Sequence, residues 1–231
     1  DEGIISFNDI LRKYLHELHA NEIVLLSYYI AAINIEAVFD EVNGPNRGYQ
    51  PFEGIVLTDT FESTERQNSF MDELLGQNNE RLKKQQEQPI TAIISNPPYS
   101  AGQRQQDDEA QNVHYPILES RINQLYVASS KAKLSKGLYD SYVKAIRWAT
   151  DRIGKKGVIG FVTNGSFIDS RATDGLRKAL FNEFNHLYVY NLRGNQRTSG
   201  ERARQEGGKI FGSGSRAPIA ISILVKDDSS I

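Results

Sequence analysis

Cysteine is absent from the chain, and methionine and tryptophan occur once each. Without cysteine there is no thiol nucleophile, no disulfide and no Cys-based zinc site. His16 and His19 stand close together, but the sequence offers no third ligand in reach, so no metal site is expected. Neither sign of charge dominates, the formal net charge being −2 over 231 residues. No global basic field draws the chain to nucleic acid, and any such contact must be local. Long apolar runs are also missing, and none approaches the roughly 20 residues a membrane helix requires. Together with a start that does not resemble a signal peptide, this leads us to expect a soluble, cytoplasmic protein with no membrane partner. The chain opens on Asp1 rather than methionine and is expected to be part of a longer polypeptide. Its length suits one domain able to bury a sizeable core.

The most informative stretch present is Ile90 to Ser100. Ile90–Ile94 is a short β-branched and apolar run between polar segments, which predicts a strand buried on both faces of a mostly parallel sheet. Asn96-Pro97-Pro98-Tyr99 follows where that strand ends, and in open α/β sheets ligands bind beyond the carboxyl ends of strands. Asn96 and Pro97 each precede a proline and are pushed toward extended backbone. Both prolines have fixed φ and no N–H. The result is a stiff corner offering two acceptors, the Asn96 amide oxygen and the Pro97 carbonyl. Two fixed acceptors can take both protons of an exocyclic amino group, freeing its lone pair to attack an electrophile. The Tyr99 ring can stack on a planar base turned out of its duplex. The alternative is a Pro-Pro turn with Tyr99 as a packing residue.

Taken in order, the chain alternates helix and strand. Residues 8–18 have helical spacing, with Asn8 as cap. A short strand closes at Glu22, and a helix over about 23–41, apolar nearly all round, is expected to be well buried. Glu22, just after its strand, can accept hydrogen bonds from both ribose hydroxyls of a nucleoside cofactor; otherwise it is a helix-start carboxylate. Residues 54–59 form the next strand. Asp59 at its end can accept from an adenine amino group with Phe61 against the ring, or it is a turn aspartate. Residues 62–89 are polar, with Phe70, Met71, Leu74 and Leu75 marking an amphipathic turn, and Asn78–Gln88 a solvated helix or loop without assigned function.

Residues 100–112, acidic at Asp107, Asp108 and Glu109, are expected to form a loop over the site. Helices are expected over 115–129, 138–153 and 173–184, and strands over 158–163, 186–192 and 217–225. Lys131, Lys133 and Lys136 are charged surface or touch phosphate. Phe167 lines a base pocket or packs in the core. Arg193–Arg216 is a glycine-rich connection carrying Arg193, Arg197, Arg202, Arg204, Lys209 and Arg216 against Glu201 and Glu206. Its arginines and backbone N–H groups suit nucleic-acid phosphate; otherwise it is a solvated hairpin. It is not a P-loop, because no G-K-[ST] closes it. Strands alternating with helices predict an α/β sheet with helices on both faces.

Ser95-Asn96-Pro97-Pro98-Tyr99 resembles the catalytic motif of amino-group methyltransferases that use S-adenosylmethionine, chiefly the adenine-N6 DNA methyltransferases. Leu192–Glu201 and Gly207–Arg216 resemble the methyltransferase part of single-chain Type ISP restriction-modification enzymes. In those enzymes nuclease, helicase-like, methyltransferase and target-recognition domains share one polypeptide. The resemblance covers nearly the whole chain. It implies that Asn96, Pro97, Pro98 and Tyr99 are catalytic, and that Glu22, Ile23, Asp59, Thr60 and Phe61 bind S-adenosyl-L-methionine. With double-stranded DNA as the partner so implied, the basic residues Arg193, Arg197, Lys209 and Arg216 are expected to meet its phosphates, and Phe167 to line the base pocket unless it packs in the core. The missing cysteine argues against cytosine-C5 methylation, which known enzymes perform with a covalent cysteine.

The fold it implies is a Rossmann-like methyltransferase sheet lacking its first strand and glycine-rich cofactor loop, since no G-x-G precedes Glu22. In the family that strand lies centrally, between the Glu22 strand and the Asn96 strand. Residues 1–231 by themselves are therefore expected to bind S-adenosylmethionine poorly; tight binding in a calorimetric titration would contradict this. The same four-residue motif also serves glutamine-amide methyltransferases and some enzymes acting on guanine N2 in RNA. A non-catalytic module that positions DNA is the remaining alternative.

Overall fold

The computed structural model describes residues 5–44, 47–62, 65, 76–98, 113–132, 136–208, 210–211 and 216–227. Tyr99, Lys133, Lys209, the 100–112 segment and the Phe70–Leu75 turn lie outside them. The chain divides into two compact units, Asp1–Gln88 and Pro89–Ile231.

In the first unit, Ser6 opens helix α1 (Phe7–Arg12) through a capping box. Its Oγ accepts from the Asp9 N–H while the Asp9 carboxylate accepts from the Ser6 N–H, satisfying two donors that helix geometry leaves open. Ser6, not Asn8, is therefore the cap. The helix continues into a wide π turn, Lys13–Glu17, which carries Tyr14 into the core. There the Tyr14 ring stacks on Phe39 at 3.7 Å and meets Phe52 at 5.2 Å, and its hydroxyl donates to the Gln50 carbonyl.

Strands β1 (Ala20–Glu22) and β2 (Ile55–Leu57) pair in parallel. Gly54 enters β2 where a Cβ would lie 2.2 Å from the Leu18 carbonyl oxygen. Between the strands runs helix α2 (Leu25–Asn43). Tyr28, Ala31, Ala32, Ile35 and Phe39, at helical spacing, meet the core of Tyr14, Phe52 and Ile55. The opposite side, Leu26, Tyr29, Ile30, Ile33 and Val38, is exposed, Leu26 by 69%. The expectation of a well-buried helix is corrected: the small aromatic core reaches one stripe only. Glu36, which interrupts the apolar pattern, accepts from Phe52 N and the Tyr49 hydroxyl. Helix α3 (Gly76–Glu87) closes this unit.

The second unit holds strands β3 (Ala92–Ser95), β4 (Gly157–Asn164), β5 (His186–Arg193) and β6 (Ile219–Lys226) in the order β3-β4-β6-β5. β3 and β4 are parallel, and β6 is antiparallel to both its neighbours. Side chains alternate as period two requires. Ile159, Phe161 and Thr163 face the core beside Leu224, Ser222 and Ala220. Helix α5 (Ser141–Arg152) packs against β4. The core also takes in helix α4 (Pro116–Ile122), its π continuation Asn123–Val127, and helix α6 (Asp174–Glu183).

The other face carries Ile94, Ile223 and Tyr188 in one row and Ile221 and Tyr190 in the next. These side chains are exposed, Ile94 by 89%. The expectation that β3 is buried on both faces is thereby corrected. Among the described residues β3 is an edge strand, and no helix of this unit covers that face.

Arg147, buried on α5, donates to both oxygens of Glu183 and both of Asp151, and lies over the Tyr126 ring. Arg121 reaches Asp151 from α4.

Candidate functional site

Each unit presents chemistry at the carboxyl end of its parallel strands. In the first, the Thr58 N–H donates to the Glu22 carbonyl, so the chain leaves β1 and β2 side by side. Glu22 folds back on the start of α2, where its Oε1 accepts from Ile23 N at 2.9 Å and Val24 N at 3.0 Å. One carboxylate oxygen thus ties down the turn that leads into α2, ahead of its first residue Leu25, and Oε2 remains to receive further donors. Asp59, two residues past β2, uses Oδ1 to accept from Phe61 N at 2.9 Å and Glu62 N at 3.4 Å. That turn fixes both the acid and the Phe61 backbone. Asp59, Thr60 and Phe61 are half-buried, and Ile23 is exposed. Two acids one strand apart at the same sheet end suit a ligand with neighbouring hydroxyl and amino donors.

In the second unit, Ser95 pairs with Phe161, so the Asn96 corner stands beside the end of β4. Pro97 is buried, while Asn96 and Pro98 are exposed. No cis peptide occurs among the described residues. The buried proline anchors the corner and leaves the Asn96 amide accessible. Next to it, Asn164 accepts from Ser166 N at 2.9 Å, and Gly165 donates to the Pro218 carbonyl. Arg177 clamps the following turn by donating to the carbonyls of Phe167 and Ser170 and to Thr173 Oγ1. Phe167 itself is 4% exposed, its ring in the core of the unit.

β5 ends, and β6 begins, at the same end. Arg193 there has φ 65°, a left-handed conformation costly for a residue with a side chain. Its amide donates to Asn191 Oδ1 and its guanidinium to the Gln205 carbonyl. The connection, expected to be a loop, contains helix α7 (Gly200–Glu206). Glu206 holds the start of the connection through its carbonyl to Gly194 N and its carboxylate to Asn195 N. Gly194, at φ 86°, lies where a Cβ would meet Ile210 at 2.8 Å. Arg193, Arg197 and Arg216 are exposed.

Asp140, just ahead of α5, was not singled out from the sequence. It is 8% exposed, and its Oδ1 has no hydrogen-bond partner among the described residues. Burial pushes its carboxyl above the usual range, opposed by the nearby backbone N–H groups of Tyr142 and Ser141 and by the Arg197 cation. Among the described residues no group of three or more His, Asp or Glu side chains could hold a metal ion, and no helix is long and apolar enough to cross a membrane.

The sequence profile of the Eco57I restriction-modification methylases matches residues 13–197. The chain belongs to that family. The methylase match spans Glu22, Asp59, the Asn96–Tyr99 motif, Phe167 and Arg197, and stops before Lys209 and Arg216. Among solved structures, a nuclease-deletion mutant of the Type ISP restriction-modification enzyme LlaGI, in complex with a DNA substrate mimic, is 67% identical over 98% of this chain, with a TM-score of 0.93. The ATP-dependent Type ISP enzyme LlaBIII, bound to DNA, is 52% identical over 96%, with a TM-score of 0.90. A DrdV–DNA complex is 42% identical over 95%, with a TM-score of 0.85. The chain spans only 18%, 15% and 21% of the lengths of these three. No match is found among curated proteins.

Proposed function

We propose that residues 1–231 are the greater part of the methyltransferase domain of a restriction-modification enzyme, and that it methylates adenine N6 in double-stranded DNA. The observation that carries this reading is the Asn96-Pro97-Pro98 corner. Its middle residue is anchored and its amide is open to an incoming base, in a chain of the restriction-modification methylase family. The fold we assign is a Rossmann-like sheet lacking its first strand and glycine-rich cofactor loop. The edges of β1 and of β3 that carry no partner strand among the described residues are open to further pairing.

S-adenosylmethionine, when bound, supplies an electrophilic methyl group on a sulfonium. The residues present fit its nucleoside half. Glu22 would hold the ribose hydroxyls, and Asp59 the adenine amino group with Phe61 beside it. Ile23 and Thr60 flank these contacts. The Asn96 amide oxygen and the Pro97 carbonyl accept the two N6 protons of the target adenine, and Tyr99 stacks on its ring. With a methyl electrophile supplied by the bound cofactor, these two acceptors would stabilise the positive charge that develops on N6 without reorganising. The extra proton then leaves to water. Arg193, Arg197, Lys209 and Arg216 contact DNA phosphate, Phe167 supports the base pocket from the core, and nuclease, helicase-like and target-recognition domains occupy the rest of the parent chain. The DNA complexes of LlaGI, LlaBIII and DrdV support the choice of polymer. The working compartment is the cytoplasm.

The test is incubation of the complete enzyme with methyl-labelled cofactor and, separately, duplex DNA, RNA and protein. Label recovered as N6-methyladenine from DNA is the expected result. Label in protein glutamine or RNA guanine would replace the reading with one of its relatives, and no label in any polymer would leave a DNA-positioning module.

A further inference from the structure

β2 has two edges. The inner one pairs with β1, and parallel geometry sends alternate peptide groups to each side. Gly54 and Thr58 bond inward, Gly54 through its carbonyl to Ala20 N and Thr58 through its N–H to the Glu22 carbonyl. Leu57 therefore points both its N–H and its C=O outward. No strand meets them among the described residues. The side chain of Asn78 does: its Oδ1 accepts from Leu57 N at 2.9 Å and its Nδ2 donates to the Leu57 carbonyl at 3.0 Å.

The side-chain amide thus imitates one peptide unit of a neighbouring strand. Asn78 is 9% exposed, so water does not compete freely for either bond. Few side chains can replace it. Aspartate has no donor when ionised, and glutamine sets the same fork one methylene further out. α3, which carries Asn78, is itself tied down by Arg81 donating to the Tyr28 hydroxyl on α2.

The chain that leaves β2 is held from both sides immediately before Asp59. Thr58 is fixed inward on Glu22, and Leu57 is fixed outward on Asn78. These contacts set where Asp59 stands relative to Glu22, and the Asp59 turn then sets where its carboxylate points. We infer that Asn78 is a positioning residue for the cofactor's adenine, holding the Leu57–Asp59 corner at the register where the Asp59 carboxylate receives the 6-amino group. This rests on Asp59 being the adenine-binding acid. A mere edge cap would stabilise the fold without affecting which base is preferred.

Discrimination between two cofactor products reads this directly. S-adenosylhomocysteine offers a 6-amino donor to Asp59, whereas S-inosylhomocysteine offers a 6-oxo acceptor that the carboxylate repels. The dissociation constants of both are measured by calorimetry on the complete enzyme and on variants whose melting curves show them folded at the assay temperature. The wild type is expected to prefer the adenosyl compound by about tenfold or more, the worth of one well-placed hydrogen bond. Asp59→Ala should erase that preference.

Asn78→Ala, and Asn78→Asp at pH 8, should each cut it several-fold. The loss in Asn78→Asp should shrink at lower pH, where the protonated acid regains a donor for the Leu57 carbonyl. Asn78→Ala in an Asp59→Ala background should change nothing further. A wild type without preference, or an Asp59→Ala variant that keeps it, overturns the assignment of Asp59. If Asp59→Ala erases the preference while both Asn78 variants keep it in full, the positioning role is overturned and Asn78 is only an edge cap.

Discussion

Asn96→Ala is expected to slow methyl transfer by on the order of 10²–10³-fold while leaving cofactor affinity within about twofold. The amide oxygen is one of two acceptors aimed at the amine as it becomes positive. Without it one N6 proton has no fixed partner, and the lone pair stays conjugated with the purine ring. Loss of a single preorganised group of this kind costs on the order of 10²–10³-fold in rate. The exposed amide makes no hydrogen bond that the fold needs among the described contacts, and buried Pro97 anchors the corner without it. Asn96→Asp keeps an acceptor oxygen at the same place and should retain far more activity than the alanine variant. Single-turnover methyl transfer on duplex DNA, with cofactor affinity measured in parallel, checks both. Alanine and wild-type rates that agree would remove Asn96 from the mechanism.

Arg147→Ala is expected to destabilise the second unit by about 3 kcal/mol, the lower end of what breaking a buried ion pair costs. The guanidinium uses Nη1, Nη2 and Nε on Glu183 and Asp151, with the Tyr126 ring beneath. Removing it leaves two partly buried carboxylates facing each other across a cavity. Both retain some access to water, 25% for Glu183 and 35% for Asp151, which keeps the cost from the upper end. Trp148, the only tryptophan, sits next in sequence on α5, so its fluorescence reports unfolding of this unit in urea.

The pH dependence has a definite sign. Burial raises the Asp151 carboxyl, but hydrogen bonds from Arg121 and Arg147 outweigh it and hold the group below its usual range. A depressed folded pKa contributes stability that is complete above the unfolded value of about 3.9 and is lost as pH falls through the lower folded value. The gap between wild type and Arg147→Ala should therefore be full at pH 7 and narrow below pH ~4. A gap that widens in acid would contradict the assignment.

What was legible in the sequence followed from local constraint. Asn96-Pro97-Pro98 declares its own backbone through two fixed φ angles, and the β-branched stretches now seen as β4 and β6 admit little but strand. Acids near the ends of predicted strands singled out Glu22 and Asp59, and the structure places them at the carboxyl ends of β1 and β2. Other features depend on contacts distant in sequence. α2 is apolar nearly all round, so its pattern cannot show which stripe finds a core. Asn78 sits in a run of Gln, Asn and Lys that reads as solvated surface, and only the backbone of Leu57, 21 residues earlier, gives it a task. Lys144 and Arg147 broke a pattern that could have been noticed, two cations among the buried residues of α5. α7 was hidden because glycines before and after it read as loop.

Among the described residues one side of α2 and one face of the sheet of β3, β4, β6 and β5 stand uncovered, and this has a practical consequence. Leucine, isoleucine and tyrosine side chains held rigidly in water, beside strand edges with open peptide groups, attract like surfaces. Produced by itself at high concentration, this stretch of polypeptide will self-associate. Dilution or solubilising additives, more than any change in its interior, will decide whether it can be studied as a monomer.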